Sequence, residues 1–418
     1  MRNTTRIIAA CLGLLPGPAL AVDWSLSSTL SQTFELNDNM FMRTFPPGGT
    51  LGSYSNVSAN ALALTPTSLF TLDGNVGYRK YWGPGTEDIN QTESNSVGVN
   101  SHYETWGKNR NDKEWLNASF NQSSTLVAVL GDLGLTTNVH GNIDRTMVGG
   151  GIQRSLSAMD LVSVSATSTL TTYDPASSGT EFTDSSVTGT WRHQVSPLTT
   201  VSATSQFEWL NFDTTPASNL MILRETGGFE TALSPLLSYG ASLGVVYSDA
   251  QVGTGSPLGP LLIPAPSSTV ALTGGSTVGF IGDAHAIYRI LKDTTLNLFA
   301  SQTVAPSVIG TLTKRSTLHA GLTQIINARS SVSVAGDISQ QTSSGITNDF
   351  LSGSVSYSYQ LAREWNASLT YRYLHRTASS GGTIDPVTGL PSSVTGPASS
   401  NSIMAVVSKQ TTIIPLEH

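Results

Sequence analysis

Alternating apolar and polar positions run through most of the chain, most clearly between Leu351 and Tyr373. From Leu351 to Leu361 the odd positions hold glycine, apolar or aromatic residues, whereas the even positions hold serine and one glutamine. After a break at 362–364, a second arm from Trp365 to Tyr373 repeats the pattern. Successive side chains of a β-strand point to opposite faces. The stretch therefore predicts a hairpin of two strands, each with one apolar and one polar face.

Aromatic residues occupy both ends of the apolar face of this hairpin: Trp365 lies at one end, and Tyr371 and Tyr373 lie at the other. A soluble β-sandwich shares the alternation, but amphipathic rings at both ends of an apolar band are what the two interfaces of a bilayer favour. We therefore predict a membrane-spanning β-barrel. The predicted membrane-interface aromatics are Trp24, Tyr78, Tyr103, Trp209, Tyr239, Tyr247, Tyr359, Trp365, Tyr371 and Tyr373.

The connections between the predicted strands alternate in length, which is a second and independent signal. Short ones fall at Thr65–Thr67, Gly107–Asp112, Ser157–Asp160, Ser196–Leu198, Ser234–Leu236, Leu291–Thr294, Asn327–Ser330 and Ala362–Glu364. Longer stretches rich in Gly, Pro, Ser and Asn fall mostly between them, at Asn37–Gly52, Trp82–Asn90, Ser124–Asp144, Tyr173–Glu181, Ala250–Ser267 and Ala378–Ser400. Short turns on one side and long loops on the other are typical of outer-membrane barrels.

The predicted fold class is therefore all-β: a single antiparallel transmembrane barrel of about 18 strands, within a range of roughly 16–20. Its short turns would be periplasmic, its long loops extracellular, and both termini would lie on the turn side. Proline, which cannot donate to a strand ladder, falls in the connections rather than inside the strands. The regular spacing of the short turns is also compatible with a propeller, but no sequence signature recurs at that spacing.

Residues 1–21 are typical of a secretory signal peptide, which leaves 22–418 as the barrel domain. Arg2 and Arg6 precede an apolar run, and the predicted cleavage follows Ala21; an alternative interpretation is a lipoprotein signal cleaved before Cys11. No later segment has the roughly 20 apolar residues of a transmembrane helix. Charged residues make up only 12% of the chain, against a typical ~25%. The net charge of −7 without a basic cluster argues against a nucleic-acid partner.

Candidate catalytic motifs are few, and we predict that the protein is not an enzyme. The run 240–244 fits the pattern of a nucleophile elbow but lies inside a predicted strand, and 253–259 is a poor match to a dinucleotide-binding loop. Asp283 and His285 share a strand face, as a general-base pair would, but scattered Asp and His are ordinary on a polar wall, which is the interpretation that we favour. No histidines have metal-ligand spacing. We therefore expect no catalytic residues, no metal and no cofactor.

The polar face is the candidate functional surface, because a barrel of this size encloses water. Two loops are candidate plugs or gates for the lumen, 126–136 and 255–267, unless they pack on the outer rim. Hydroxyl groups and charges of both signs suit a hydrated neutral or weakly anionic solute. The predicted pore-lining residues are Glu35, Asp73, Arg79, Glu104, Arg192, Glu208, Arg224, Glu230, Asp283, Arg289, Arg315, Asp337 and Arg372.

Three short runs resemble the opening of β-barrel porins from Gram-negative exopolysaccharide loci. These runs are 35–41, where an acidic residue and an Asp-Asn pair end the first strand, the proline turn at 61–66, and the aromatic-basic strand end at 78–81. The resemblance implies a barrel that passes or helps to export a secreted polysaccharide, and it supplies no catalytic residues. Barrels of this kind usually end in an aromatic residue, whereas this chain ends in Leu416-Glu417-His418, which is either native or an added tail.

Three hypotheses about function follow for a protein of the Gram-negative outer membrane. The first is export of an exopolysaccharide, whose partners would be outer-membrane lipid, the polysaccharide itself and a periplasmic polysaccharide-export protein. The second is a general or substrate-selective uptake porin for small hydrophilic solutes. The third is an outer-membrane lipid hydrolase that uses Asp283 and His285.

Overall fold

Eighteen antiparallel strands form one closed sheet in the computed structural model. The structure describes residues 22–86, 91–107, 111–125, 141–175, 180–213, 218–252, 275–306, 312–343, 346–377 and 396–414. Each strand pairs with its neighbours in sequence, and the first strand pairs with both the second and the last, which closes the barrel. The predicted fold class and the predicted strand number are both confirmed.

The strands are long for a globular protein, as spanning a bilayer requires. Their bounds are β1 Asp23–Asn37, β2 Thr50–Leu64, β3 Ser68–Trp82, β4 Glu93–Trp106, β5 Lys113–Ser124, β6 Asn142–Ser155, β7 Asp160–Asp174, β8 Phe182–Ser196, β9 Thr199–Phe212, β10 Ser218–Ser234, β11 Leu237–Val252, β12 Gly275–Leu291, β13 Thr294–Pro306, β14 Leu312–Asn327, β15 Ser330–Ser343, β16 Ile346–Gln360, β17 Trp365–Arg376 and β18 Ala398–Ile414. Among the described residues, no helix is long and apolar enough to cross a membrane.

The register gives the barrel an apolar outer face and a polar lumenal face. Leu30, Val57 and Val76 are paired across β1, β2 and β3, and all three are exposed on the outside. The residues that alternate with them along each strand are mostly Ser, Thr, Asn and Gly, and they face the lumen. In a soluble barrel the apolar face points inward and the polar face meets water. Here the apolar face points outward, so it needs hydrocarbon rather than water around it.

The connection lengths follow the predicted asymmetry, with some boundary changes. We call the two ends of the barrel the turn end, which holds both strand termini Asp23 and Ile414, and the loop end. Trp82 is the last residue of β3 rather than part of a loop, and β18 already begins at Ala398. One connection at the loop end, 344–345, is as short as the turns, an exception that the sequence pattern did not predict.

Tyrosines and tryptophans on the outer face lie toward the two ends of the strands. Tyr239 and Tyr247, near opposite ends of β11, are eight residues apart, which is about 26 Å along a strand. The ten predicted interface aromatics all have outer-face positions. Trp82, Trp191 and Tyr288 are exposed on the same face and extend the two rings. The predicted signal peptide, the predicted plug loops 126–136 and 255–267, and the last four residues lie outside the described residues.

Candidate functional site in the lumen

The thirteen predicted pore-lining residues all occupy lumenal positions in the register, but they differ in their surroundings. Some belong to hydrogen-bonded groups, described below. Arg192, Glu230, Arg289 and Arg315 are exposed and have no ion pair among the described residues.

The most organised group lies near the loop end, where β1, β2 and β3 run side by side. The hydroxyl of Tyr54 donates to Glu35 Oε2 at 2.6 Å and lies 3.2 Å from the hydroxyl of Tyr81. Arg79 Nη1 donates to the Tyr81 hydroxyl at 3.2 Å, and the two tyrosine rings meet edge to face. We call Glu35, Tyr54, Arg79 and Tyr81 the tyrosine–arginine site.

This site borders a lumenal cavity of about 330 Å³, which is within the range of small-molecule binding pockets. Arg372 of β17 and Met404 of β18 line its other side, so the cavity lies across the seam where the barrel closes. Met40 and Met42, in the connection between β1 and β2, also line it. The cavity therefore combines aromatic edges, charges of both signs and flexible thioethers.

The connection between β1 and β2, residues 38–49, folds inward to supply those two methionines. Asn39 holds it in place: its side chain donates to the carbonyl of Arg43 at 2.7 Å and to that of Ser399 at 2.9 Å. Phe41 and Met42 are buried. This segment narrows the loop end of the lumen, whereas both predicted plug loops lie outside the described residues.

A buried charged group lies on a different part of the lumenal wall. Arg224 of β10 forms an ion pair with Glu208 of β9, and both side chains are largely buried. Asp184 of β8 shares a hydrogen bond with Glu208. Arg224 Nη2 also donates to the carbonyl of Val304 in β13 at 2.9 Å. One guanidinium therefore joins Glu208, and through it Asp184, to a strand that lies three positions further round the barrel.

Smaller polar groups line the rest of the wall. Asp73 accepts from Asn60 at 2.5 Å, and Glu104 pairs with Lys113 at 2.8 Å. Asp337 lies 2.5 Å from His319 and accepts from Ser352 at 3.0 Å. These contacts join neighbouring strands, directly opposite for Asp73 and Asp337 and diagonally for Glu104, as expected for cross-strand pairs.

Asp283 and His285 face the lumen, but they are engaged separately. Asp283 accepts a hydrogen bond from Ser242, and the ring of His285 fills the space above Gly240, where a Cβ would lie 2.7 Å from its Cε1. In a serine hydrolase the imidazole, not the carboxylate, contacts the nucleophile. Residues 240–244 lie inside β11 and not on a turn before a helix.

A second lumenal cavity, of about 480 Å³, lies at the turn end. Its lining is mostly uncharged and hydrogen-bonding, and Arg329 is its one charged residue. The polar residues around it are Asn327, Ser330, Ser331, Ser358, Gln360, Asn366, Ser368 and Ser408. No cluster of three or more potential metal ligands occurs among the described residues.

Several residues of these groups were not predicted as site residues. Tyr54 and Tyr81 have lumenal positions in β2 and β3, and their phase in the alternation was the available signal. Asp184 has the same kind of signal in β8. The inward path of residues 38–49 has no periodic signal, since it depends on the side-chain hydrogen bonds of Asn39.

Closed antiparallel strands, an apolar outer face and rings of interface aromatics together define an outer-membrane β-barrel. No protein-family model matches the chain, and no curated protein is similar to it in sequence. The structure is similar to the FrpB iron transporter from Neisseria meningitidis (TM-score 0.51, 7% identity), with 96% of this chain and 83% of that chain covered. It also resembles OccK2 (OpdF) from Pseudomonas aeruginosa (TM-score 0.49, 10% identity), with 94% and 99% covered. At these identities the likeness to FrpB concerns the fold alone.

Proposed function

We propose that this protein is an outer-membrane channel that exports an exopolysaccharide through its polar lumen. Sugar hydroxyl groups both donate and accept hydrogen bonds, as do the serine, threonine and amide side chains along the lumenal face. The turn-end cavity, where a polymer would enter, is lined mainly by serine and amide side chains; Arg329 is its one charged residue, and the rest of the lining is Ile325, Ala328, Tyr359, Ala367 and Val406. A wall of this kind exchanges hydrogen bonds with a moving chain without binding it tightly.

The observation that carries the proposal is the tyrosine–arginine site near the exit. Tyr54 and Tyr81 present aromatic edges and hydroxyl groups to the cavity, and Glu35, Arg79 and Arg372 present charges. A few convergent polar groups beside apolar surface are what a small-molecule site uses to fix orientation. A sugar unit, with an apolar ring face and polar edges, matches that combination.

Deletion of the protein in its own host tests export directly. We expect loss of surface polysaccharide with little change in permeability to small solutes, and recovery when the intact chain is supplied. Normal surface polymer in the deletion strain would contradict export. The proposed partners are the polysaccharide, outer-membrane lipid and a periplasmic polysaccharide-export protein. A photo-crosslinker at Arg329, in the β14–β15 turn, should capture that periplasmic protein, whereas one at Phe45, exposed at the loop end, should not.

A second candidate is an uptake porin for small hydrophilic solutes. It is favoured by the inward fold of residues 38–49, since Met40 and Met42 leave a cavity closer to the size of a small solute than of a long polymer. Planar-bilayer recording separates the two functions. Stable open conductance of the purified barrel would support uptake, whereas a closed barrel that opens only with its periplasmic partner would support export.

We further propose that the lumenal Asp283 and His285 have no catalytic role. Asp283→Asn and His285→Ala should each leave barrel assembly and surface polymer unchanged. Lipid hydrolysis by the purified wild-type protein, lost in either variant, would contradict this and would support the hydrolase hypothesis.

A further inference from the structure

The wall of the barrel is forked between β12 and β13. Their ladder runs from Leu291–Thr294 at the turn end to Gly282–Gln302 and stops there, although both strands continue toward the loop end. Beyond that point residues 275–281 of β12 pair only with β11, and residues 303–306 of β13 pair only with β14. Two strands that are neighbours in sequence thus separate in the half of the wall that is nearer the loop end.

The end of β13 has turned into the lumen. Alternation would place Val304 on the outer face with Leu298 and Ala300, yet Val304 packs against a buried lumenal cluster and its carbonyl accepts from Arg224. We call this cluster the lumenal apolar cluster; its members are Phe182, Leu210, Phe212, Leu220, Ile222 and Val246. Ile281 of β12, at the edge of the fork, packs against the same cluster.

The fork reaches into the membrane band. Val278 is in register with Tyr247, an outer-face aromatic near the loop end, and Gly282 is in register with Leu243. The open part therefore descends four residues below the level of Tyr247, which is about 13 Å along a strand. The outer-face side chains beside the open part are highly exposed: Leu243 is 77% exposed, Val278 is 74% exposed and Phe280 is 77% exposed.

Backbone groups at the fork edges have lost their ladder partners. Gln302 Nε2 donates to the carbonyl of Phe280 at 2.6 Å, and Arg224 donates to the carbonyl of Val304. These two side-chain hydrogen bonds replace two of the missing ladder bonds. Within the described residues no further side chain replaces the others, and hydrocarbon cannot do so, since backbone donors and acceptors left unpaired in lipid are costly. Water or the polar part of a bound molecule can supply these hydrogen bonds.

We propose that this fork is a lateral portal through which the hydrocarbon tail of an amphiphile, such as a fatty acid, passes between the outer leaflet and the lumen. Phe280 and Val278 line the membrane side, Ile281 lies at the edge, and the lumenal apolar cluster receives the tail. The polar headgroup lies in the hydrated gap. The end of β13 is the gate, and the hydrogen bond from Arg224 to Val304 holds it over the cluster. This portal is a route separate from polysaccharide export.

The test uses a palmitic acid that carries a photoreactive diazirine, with the intact barrel in vesicles of phosphatidylcholine and phosphatidylglycerol. Labelled positions are then mapped by mass spectrometry. We expect label on the lumenal residues Ile222 and Ile281, as well as on the outer-face residue Leu318. Met404, lumenal but on the opposite part of the wall, should remain unlabelled. Label on Leu318 without any on Ile222 and Ile281 would overturn the portal.

A disulfide lock separates entry through the fork from entry through the mouth. Phe280→Cys with Val304→Cys would face each other if the ladder continued, and the natural sequence has a single cysteine, Cys11 in the predicted leader. Oxidation should lower the labelling of Ile222 by about tenfold, and reduction should restore it. The matched lock Leu318→Cys with Ile338→Cys, an ordinary pair of β14 and β15, should change nothing. Undiminished labelling of Ile222 in the locked fork would overturn the portal. If the disulfide does not form, the labelling of Ile222 and Ile281 in the wild-type protein decides whether the portal exists.

Discussion

The guanidinium of Arg79 lies over the ring of Tyr54, with its carbon 4.0 Å from the ring centroid. The contact fixes both side chains in the orientation that lets Tyr54 donate to Glu35 while Arg79 donates to Tyr81. Cation–π contacts of this kind contribute roughly 0.5–2 kcal/mol. The tyrosine–arginine site is thus organised before any solute arrives.

Tyr54→Phe should impair transport without impairing folding. The ring and its contact with Arg79 remain, but Glu35 loses the donor of its shorter hydrogen bond and keeps only the longer one, at 3.4 Å, from Asn37. A hydrogen bond to a charged group contributes about 1.5–3 kcal/mol. We expect the rate at which polymer appears at the surface to fall several-fold, with normal amounts of folded barrel on a semi-native gel. Tyr371→Phe is the matched control, because its hydroxyl bonds Asn401 on the outer face. Equal polymer in both variants would count against the site.

Glu208→Ala should strongly destabilise the barrel. It leaves Arg224 buried without its ion-pair partner, and removing one member of a buried pair costs about 3–5 kcal/mol. The measurement is urea unfolding in lipid vesicles, followed by tryptophan fluorescence. Glu230→Ala, at an exposed lumenal position of the neighbouring strand, should change the free energy of unfolding by less than about 0.5 kcal/mol. Similar losses in the two variants would mean that the pair contributes little.

Leu369→Arg and Thr370→Arg test which face of the wall meets lipid. The two residues are adjacent in β17, and Leu369 is exposed on the outer face whereas Thr370 is lumenal. Arginine on the lipid face costs about 2–4 kcal/mol near the middle of the bilayer, so only the first variant should lose that much unfolding free energy. The opposite order would reverse the assignment of lumen and membrane.

Glu225→Leu should stabilise the isolated barrel. Glu225 is exposed on the outer face of β10, and its carboxylate accepts a hydrogen bond from the hydroxyl of Ser205 at 2.6 Å. It is paired with Val245, between the levels of Tyr239 and Tyr247, and therefore lies within the apolar band. A carboxylate in that band is unfavourable, so leucine should raise the unfolding free energy by about 1 kcal/mol. A loss of stability in native membranes but not in vesicles would reveal a partner that covers this carboxylate.

The sequence pattern predicted the strands because burial in lipid and contact with water alternate strictly along each of them. The strand number, the lumenal face and the termini at the turn end all follow from that period. The partners of Arg224 do not follow from that period, because Glu208 lies on the adjacent strand whereas Val304 lies three strands away. The fork was equally hidden: Val304 continues the outer-face phase of β13, and only the three-dimensional path shows that it points inward.

The seam has a consequence for how the molecule is made. Thr33 in the first strand pairs with Val406 in the last, so the contacts that complete the wall join opposite ends of the polypeptide. Pairings of such high sequence separation are slow, because a large loop-closure entropy precedes any gain. Until β18 is available, β1 has an unpaired edge that invites foreign strands. Assembly in the cell therefore depends on something that shields this first edge while the remaining strands are delivered.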